Sequence, residues 1–144
     1  YVRFPVVPSP AFPTKIFVDR PALETMIEYN GMVFPRLFFS IIDSGADSCV
    51  FPSAFGKQIG INVKKGPSES TTGVTGAGDT FYHSIKVYVR IQGNMYEFDC
   101  YAGFMDGLDQ VGIGLLGHHG FFSLFESVTL DSRNRTVELK VDVP

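Results

Sequence analysis

The residues best suited to chemistry stand together at Asp43-Ser44-Gly45-Ala46, directly after the apolar run Leu37-Phe38-Phe39-Ser40-Ile41-Ile42. An ionised carboxylate at the end of a buried strand is costly unless something holds it. Ser44 supplies a hydroxyl donor, and Gly45 can take dihedrals that other residues avoid. Asp43 therefore reads as a carboxylate presented on a tight turn, where it can exchange a proton with a reactant. The same residues also fit an ordinary Asx-type turn between two strands. Because a short Asp-Ser-Gly string arises often by chance, the rest of the chain has to separate the two readings.

Other chemically able residues are fewer. His118-His119 could ligate a metal, but adjacent histidines point in different directions and no third ligand stands near them, so no metal and no cofactor is expected. His83 reads as a surface or half-buried histidine. Asp19, Asp47, Asp99, Asp106 and Asp109 could each place a second carboxylate beside Asp43, yet none lies in another Asp-Ser/Thr-Gly turn. Cys49 and Cys100 sit among apolar residues and read as buried free thiols, with a single disulfide between them as the alternative.

Composition narrows the class. The chain has 144 residues, the size of one domain; it is 44% hydrophobic and only 19% charged, enough apolar material for a core and too little charge for disorder. A net charge of −3 with no basic run argues against a nucleic-acid partner and against a polybasic membrane patch. No apolar run approaches the length of a membrane span. The chain opens on Tyr1 with no signal peptide in view and no initiator Met, so a fragment or processed form and an upstream targeting segment both stay open; a cytoplasmic location is favoured if no targeting segment precedes Tyr1.

The elements that must position Asp43 read mostly as short strands. Residues 1–13, with Pro5, Pro8, Pro10 and Pro13, form an extended arm too proline-rich for a central strand, and residues 14–144 form one domain. Lys15–Val18 is a short strand ahead of Pro21. Leu23–Tyr29 and Met32–Ile42 flank Asn30-Gly31, a strong hairpin signal, although Leu23, Met26 and Ile27 would also fit a helix behind Pro21. Ser48–Phe51 is a strand, and Pro52-Ser53 opens a short helix over Ala54–Ile59 that Gly60 caps. Gly66, Pro67, Gly73, Gly76 and Gly78 make residues 66–80 either a surface loop or the tip of a long hairpin. Ile85, Val87, Val89 and Ile91 alternate with polar neighbours as a half-buried strand, Gly93-Asn94 turns, and Tyr96, Phe98 and Cys100 return. Phe104–Gly112 reads as a loop, Ile113–Leu116 as a buried strand ending at Gly117, and Phe121–Phe125 as a short helix. Val128–Leu130 and Thr136–Val141 close the chain as a hairpin. Many short strands with close-set turns predict an all-β barrel or sandwich with one or two short helices.

In this order the features resemble a family. Ile41-Ile42-Asp43-Ser44-Gly45-Ala46, the helix ending at Gly60-Ile61, the Gly-rich hairpin, the paired strands, and Leu115-Leu116-Gly117 before a short helix resemble the retropepsins, single-domain aspartic proteases of the retroviral type. The stretch Leu116-Gly117-His118-His119-Gly120-Phe121-Phe122 looks most like their bacterial members. The resemblance spans roughly residues 22–141. It implies a retropepsin-like closed β-barrel, one half-lobe of an acid protease, and an aspartic endopeptidase activity. Because each chain holds one Asp-Ser-Gly turn, it implies a homodimer that brings together two copies of Asp43. It also implies that Ser44 braces the pair, that Gly45 keeps the turn tight with amide donors near the carboxylates, and that Ala46 and a flap tip of Gly73, Val74, Thr75, Gly76, Ala77 and Gly78 contact a protein or peptide substrate. Retroviral members carry Arg, sometimes Asn, where this chain has His118, so a salt bridge from that position is in question. Two other classes stay open at this point: a dimerising or peptide-binding module of the same fold that does not cut, and an unrelated small barrel that binds a ligand.

Overall fold

The computed structural model describes residues 1–73 and 76–141. The chain enters through β1 (Val2–Pro5) and β2 (Phe17–Arg20), an antiparallel pair lying outside the main sheet. β3 (Ala22–Tyr29) follows Pro21, and the hairpin expected at Asn30-Gly31 forms with β4 (Met32–Val33); both turn residues have positive φ, 49° and 80°. Next come β5 (Phe38–Ile42), β6 (Val50–Pro52) and α1 (Ser53–Gln58), the one α-helix among the described residues, after which Gly60 turns the chain at φ 90°. β7 (Ser68–Gly73) and β8 (Gly76–Ile91) form the long hairpin, followed by β9 (Asn94–Met105), β10 (Gly114–Leu116), β11 (Ser127–Asp131) and β12 (Thr136–Lys140).

Strands make up 52% of the protein, and β3, β5, β10, β6, β9 and β8 hydrogen-bond in that order, with β8 pairing back onto β3. The expected all-β closed barrel with one short helix is therefore what forms, and closure leaves none of these strands as a bare edge. Thr25↔Val89, Met26↔Tyr88, Ile27↔Val87 and Glu28↔Lys86 seal it. Alternation along β8 works as the period-two pattern requires, with Ile85, Val87 and Val89 buried and Arg90 exposed. Outside, Tyr88 Oη donates to Glu28 Oε1 at 2.9 Å, which with the nearby charge pushes the Tyr88 phenol up to about 12.

Phenylalanines fill one end of the barrel. Phe34 stacks on Phe55 of α1 with centroids 4.3 Å apart, and Phe38 meets Phe55 edge-on at 4.9 Å. Phe51, Phe104 and Phe121 are completely buried. Asp109 accepts the Ala54 N–H at 2.9 Å and so anchors the first turn of α1.

Three sequence readings change. Phe104 and Met105 belong to β9 rather than to a loop, because they pair with Phe81 and Thr80 and both are buried. The β8–β9 turn is made by Gln92-Gly93 (φ 51° and 81°), while Asn94 already pairs with Ile91. The helix expected over Phe121–Phe125 shrinks to a 3₁₀ turn at Phe122–Leu124, since only Phe121 is drawn fully into the core. Val2–Pro5 folds back onto Phe17–Arg20 as an edge pair, and Ser9 and Phe12 exchange backbone hydrogen bonds in the turn that joins them.

Asp19 of β2 pairs with Arg3 at 3.2 Å and with Arg135 at 3.3 Å, tying both terminal hairpins together. The Arg3 hydrogen bond holds the Asp19 carboxyl below its ordinary 3.8. A lowered carboxyl stabilises the fold above the ordinary value and loses that contribution as pH falls through the folded value. Thermal melts of Asp19→Asn across an acid pH series should show a shallower acid limb than the parent protein. Phe104→Ala should cost about 3–5 kcal/mol by urea unfolding, from lost burial plus the cavity left behind.

Candidate active site

Two short buried strands aim the acidic turn. β5 and β10 run parallel in the register Gly114↔Ser40, Leu115↔Ile41, Leu116↔Ile42. The ladder continues one residue past β5, where the Asp43 N–H donates to the Leu116 carbonyl at 3.0 Å. Ile42, 2% exposed, and Leu116, 0% exposed, pin this end of the sheet in the core, so Asp43 leaves it from a fixed point and is itself half-buried. The Ala46 N–H closes a turn onto the Asp43 carbonyl at 3.1 Å, and the Gly45 N–H donates to Asp43 Oδ1 at 2.9 Å. The Asx turn and the presented carboxylate are thus one arrangement.

Gly45 is needed for a different reason than its conformational freedom. The glycines with positive φ are Gly31, Gly60, Gly93, Gly112 and Gly120 among the described residues, and Gly45 is not one of them. A Cβ at Gly45 would instead stand 3.2 Å from Asp43 Oδ1, crowding the oxygen that its own N–H holds. Ser44 is exposed beside it, and Ala46 is half-buried.

The segment after β10 grips the turn from behind. Gly117 passes so close to the Ala46 and Ser48 carbonyls that a Cβ there would overlap both oxygens. Beyond it, the His118 N–H donates to Ala46 O at 2.9 Å and the His119 N–H to Asp47 O at 2.8 Å. His118 Nε2 reaches the Ser44 carbonyl at 2.5 Å, and its ring stacks on Phe122 at 4.8 Å. Among the described residues no salt bridge starts from this position, and its ring nitrogen hydrogen-bonds to the acidic turn.

Charge around Asp43 is sparse. Among the described residues no cation pairs with it, and its carboxylate bonds to the Gly45 N–H and to no second carboxylate. Of the acids that could have joined it within one chain, Asp19 is engaged with two arginines and Asp109 with α1. No group of three or more His, Cys, Asp or Glu side chains among the described residues could hold a metal ion.

Cys49 and Cys100 are free, buried thiols packed against Gly120. Their mutual hydrogen bond, reinforced by burial, pushes the Cys100 thiol up. His83 is half-buried as expected, with Nε2 2.7 Å from the Val63 carbonyl.

The hairpin expected to carry the flap is present as β7 and β8, whose register runs from Ser68↔Phe81 to Gly73↔Gly76 and includes Thr72↔Ala77 and Thr71↔Gly78. Val74 and Thr75 lie outside the described residues. One link from this hairpin to the acidic turn escaped the sequence reading: Ser48 and the Tyr82 hydroxyl of β8 are hydrogen-bonded at 3.0 Å, and Tyr82 stacks on Tyr101 at 5.4 Å. A pairing across 34 residues leaves no local pattern to detect.

No protein-family model matches the sequence, and no curated protein matches it. Among solved structures, the chain is similar to EIAV protease complexed with the inhibitor HBY-793. The two are 21% identical over 69% of this chain and 83% of that one, with a TM-score of 0.37. At that distance nothing about activity transfers from one protein to the other, and the site stands on its own geometry.

Gly117→Ala should destabilise the protein by about 1–3 kcal/mol, because two backbone carbonyls rather than a flexible side chain would have to yield. Gly78→Ala, where an added Cβ meets nothing within 4 Å, is the control and should leave the denaturation midpoint nearly unchanged.

Proposed function

We propose that the protein is an aspartic endopeptidase of the retropepsin type, working as a homodimer in which Asp43 from each chain meets its counterpart across a two-fold axis. What carries this reading is the Asp43 turn itself: a half-buried carboxylate, fixed by the β5–β10 ladder, with one backbone donor and no neutralising cation among the described residues. Such a group is held in place but left chemically available. Since one chain supplies one such turn, a second copy supplies the other carboxylate.

In the dimer two carboxylates at hydrogen-bonding distance hold one proton between them, because both cannot stay ionised side by side. The ionised Asp43 takes a proton from a water molecule as the water oxygen adds to the scissile carbonyl carbon. The protonated Asp43 hydrogen-bonds the carbonyl oxygen and stabilises the charge that develops there. Collapse of the tetrahedral adduct, with a proton delivered to the departing amine, releases two peptides without a covalent enzyme intermediate or a metal. Ser44 braces the paired turns, and Gly45 leaves amide donors beside them. The β7–β8 hairpin, with Gly73, Val74, Thr75, Gly76, Ala77 and Gly78 at its end, serves as the flap over an extended peptide.

Incubation with unfolded casein and with a peptide library over a mildly acidic to neutral pH series tests this directly. Asp43→Asn should reduce cleavage on the order of a hundredfold or more. The parent protein should sediment as a dimer in the presence of a peptide-like aspartic protease inhibitor. Equal cleavage by parent and variant, or a persistent monomer with inhibitor, would overturn the reading. A stable dimer that binds peptides without cutting them would identify a non-catalytic module.

A further inference from the structure

The peptide unit between Ser44 and Gly45 is held at both ends. Its N–H points at Asp43 Oδ1, 2.9 Å away, and its carbonyl oxygen receives His118 Nε2 at 2.5 Å. Because a carbonyl only accepts, Nε2 must carry the hydrogen. The imidazole is itself fixed. Its backbone N–H is bound to Ala46 O and its carbonyl receives the Ser123 N–H at 3.0 Å. The ring lies on Phe122 with an interplanar angle of 30°. A polar donor, an amide and a carboxylate therefore stand in series: His118 Nε2–H, then Ser44 O=C–N–H Gly45, then Asp43 Oδ1.

We infer that His118 is a positioning residue that acts on Asp43 through the Ser44–Gly45 peptide. Two consequences follow from the geometry. First, the bond to the carbonyl opposes rotation of that peptide plane, and rotation would carry the Gly45 N–H away from Asp43. Second, hydrogen bonds in series polarise one another, so a donor on the carbonyl strengthens the N–H as a donor to the carboxylate. Gly45 is exposed and lacks a Cβ, so the His118 bond adds an outside restraint to the one the Ala46 N–H bond to the Asp43 carbonyl gives within the turn.

This rests on the proposed hydrolysis for its kinetic effect but not for the clamp itself, and two variants separate them. His118→Phe keeps a ring to stack on Phe122 and removes the donor. His118→Gln returns an N–H at the end of a side chain of similar reach. The test measures kcat and KM on a peptide that the parent protein cleaves, together with amide exchange at Gly45. For His118→Phe, kcat should fall about fivefold to tenfold, the worth of one hydrogen bond, with KM nearly unchanged. Exchange at Gly45 should quicken by a similar factor, and His118→Gln should recover most of both losses. A phenylalanine variant with unchanged kcat, or a glutamine variant no better than phenylalanine, overturns the positioning role. Should the parent protein cut nothing, the proposed function fails, while exchange at Gly45 still decides the clamp: an unchanged rate in His118→Phe refutes it.

Discussion

The pairing of β5 with β10 is the constraint on which the rest of the site depends. Three residues on each strand make the ladder, and a fourth bond, from the Asp43 N–H to Leu116, carries it into the turn. Short ladders are weak alone, and this one is rigid because both strands are interior members of a closed barrel. Gly114 opposite Ser40 keeps the two backbones close: a Cβ at Gly114 would press on Ser40 Oγ and on the Phe51 ring. The position of the carboxylate is thus set by core packing several residues away from it. That is the usual way for a loop residue to be held more precisely than its own contacts allow.

Closure of the barrel and the grip on the turn are linked through the chain order. β10 lies between β5, which ends at Ile42, one residue before Asp43, and β6, which begins at Val50 beyond the turn. The segment leaving β10 must therefore pass under the loop that joins β5 to β6. Gly117 is the residue that makes this crossing without steric conflict, and the His118 and His119 amides then satisfy the Ala46 and Asp47 carbonyls. One short stretch, 116–119, supplies the ladder bond, the close approach and the carbonyl donors.

Much of this was legible in the sequence where local chemistry and tertiary demand agree. Asn30-Gly31 forms the hairpin its dihedrals require, Ile85, Val87 and Val89 point inward as their spacing dictates, and Gly60 turns the chain behind α1. Failures occurred where a distant partner decided the outcome. Phe104 and Met105 look like the start of a Gly- and Asp-rich loop, but β8 extends far enough to capture them as strand. Phe121–Phe125 carries enough aromatic residues for a buried helix, yet only Phe121 finds room in the core, and a single 3₁₀ turn remains. Around the candidate site, the tight turn at Asp43 could be read from residue type and neighbours. The role of His118 could not, since its acceptor is a backbone carbonyl 74 positions earlier and carries no sequence signature.

That same carbonyl gives His118 a partner that is not a charged group. An arginine salt bridge would place a permanent cation near the acidic loop, whereas His118 spends its donor on the uncharged oxygen of Ser44. The carboxylate of Asp43 keeps a single amide partner and an open second oxygen among the described residues. In the proposed homodimer this matters energetically. An amide donor orders a carboxylate without adding a full charge, which leaves two such groups free to share a proton. Holding the acid in place through an amide donor is thus separate from fixing its charge.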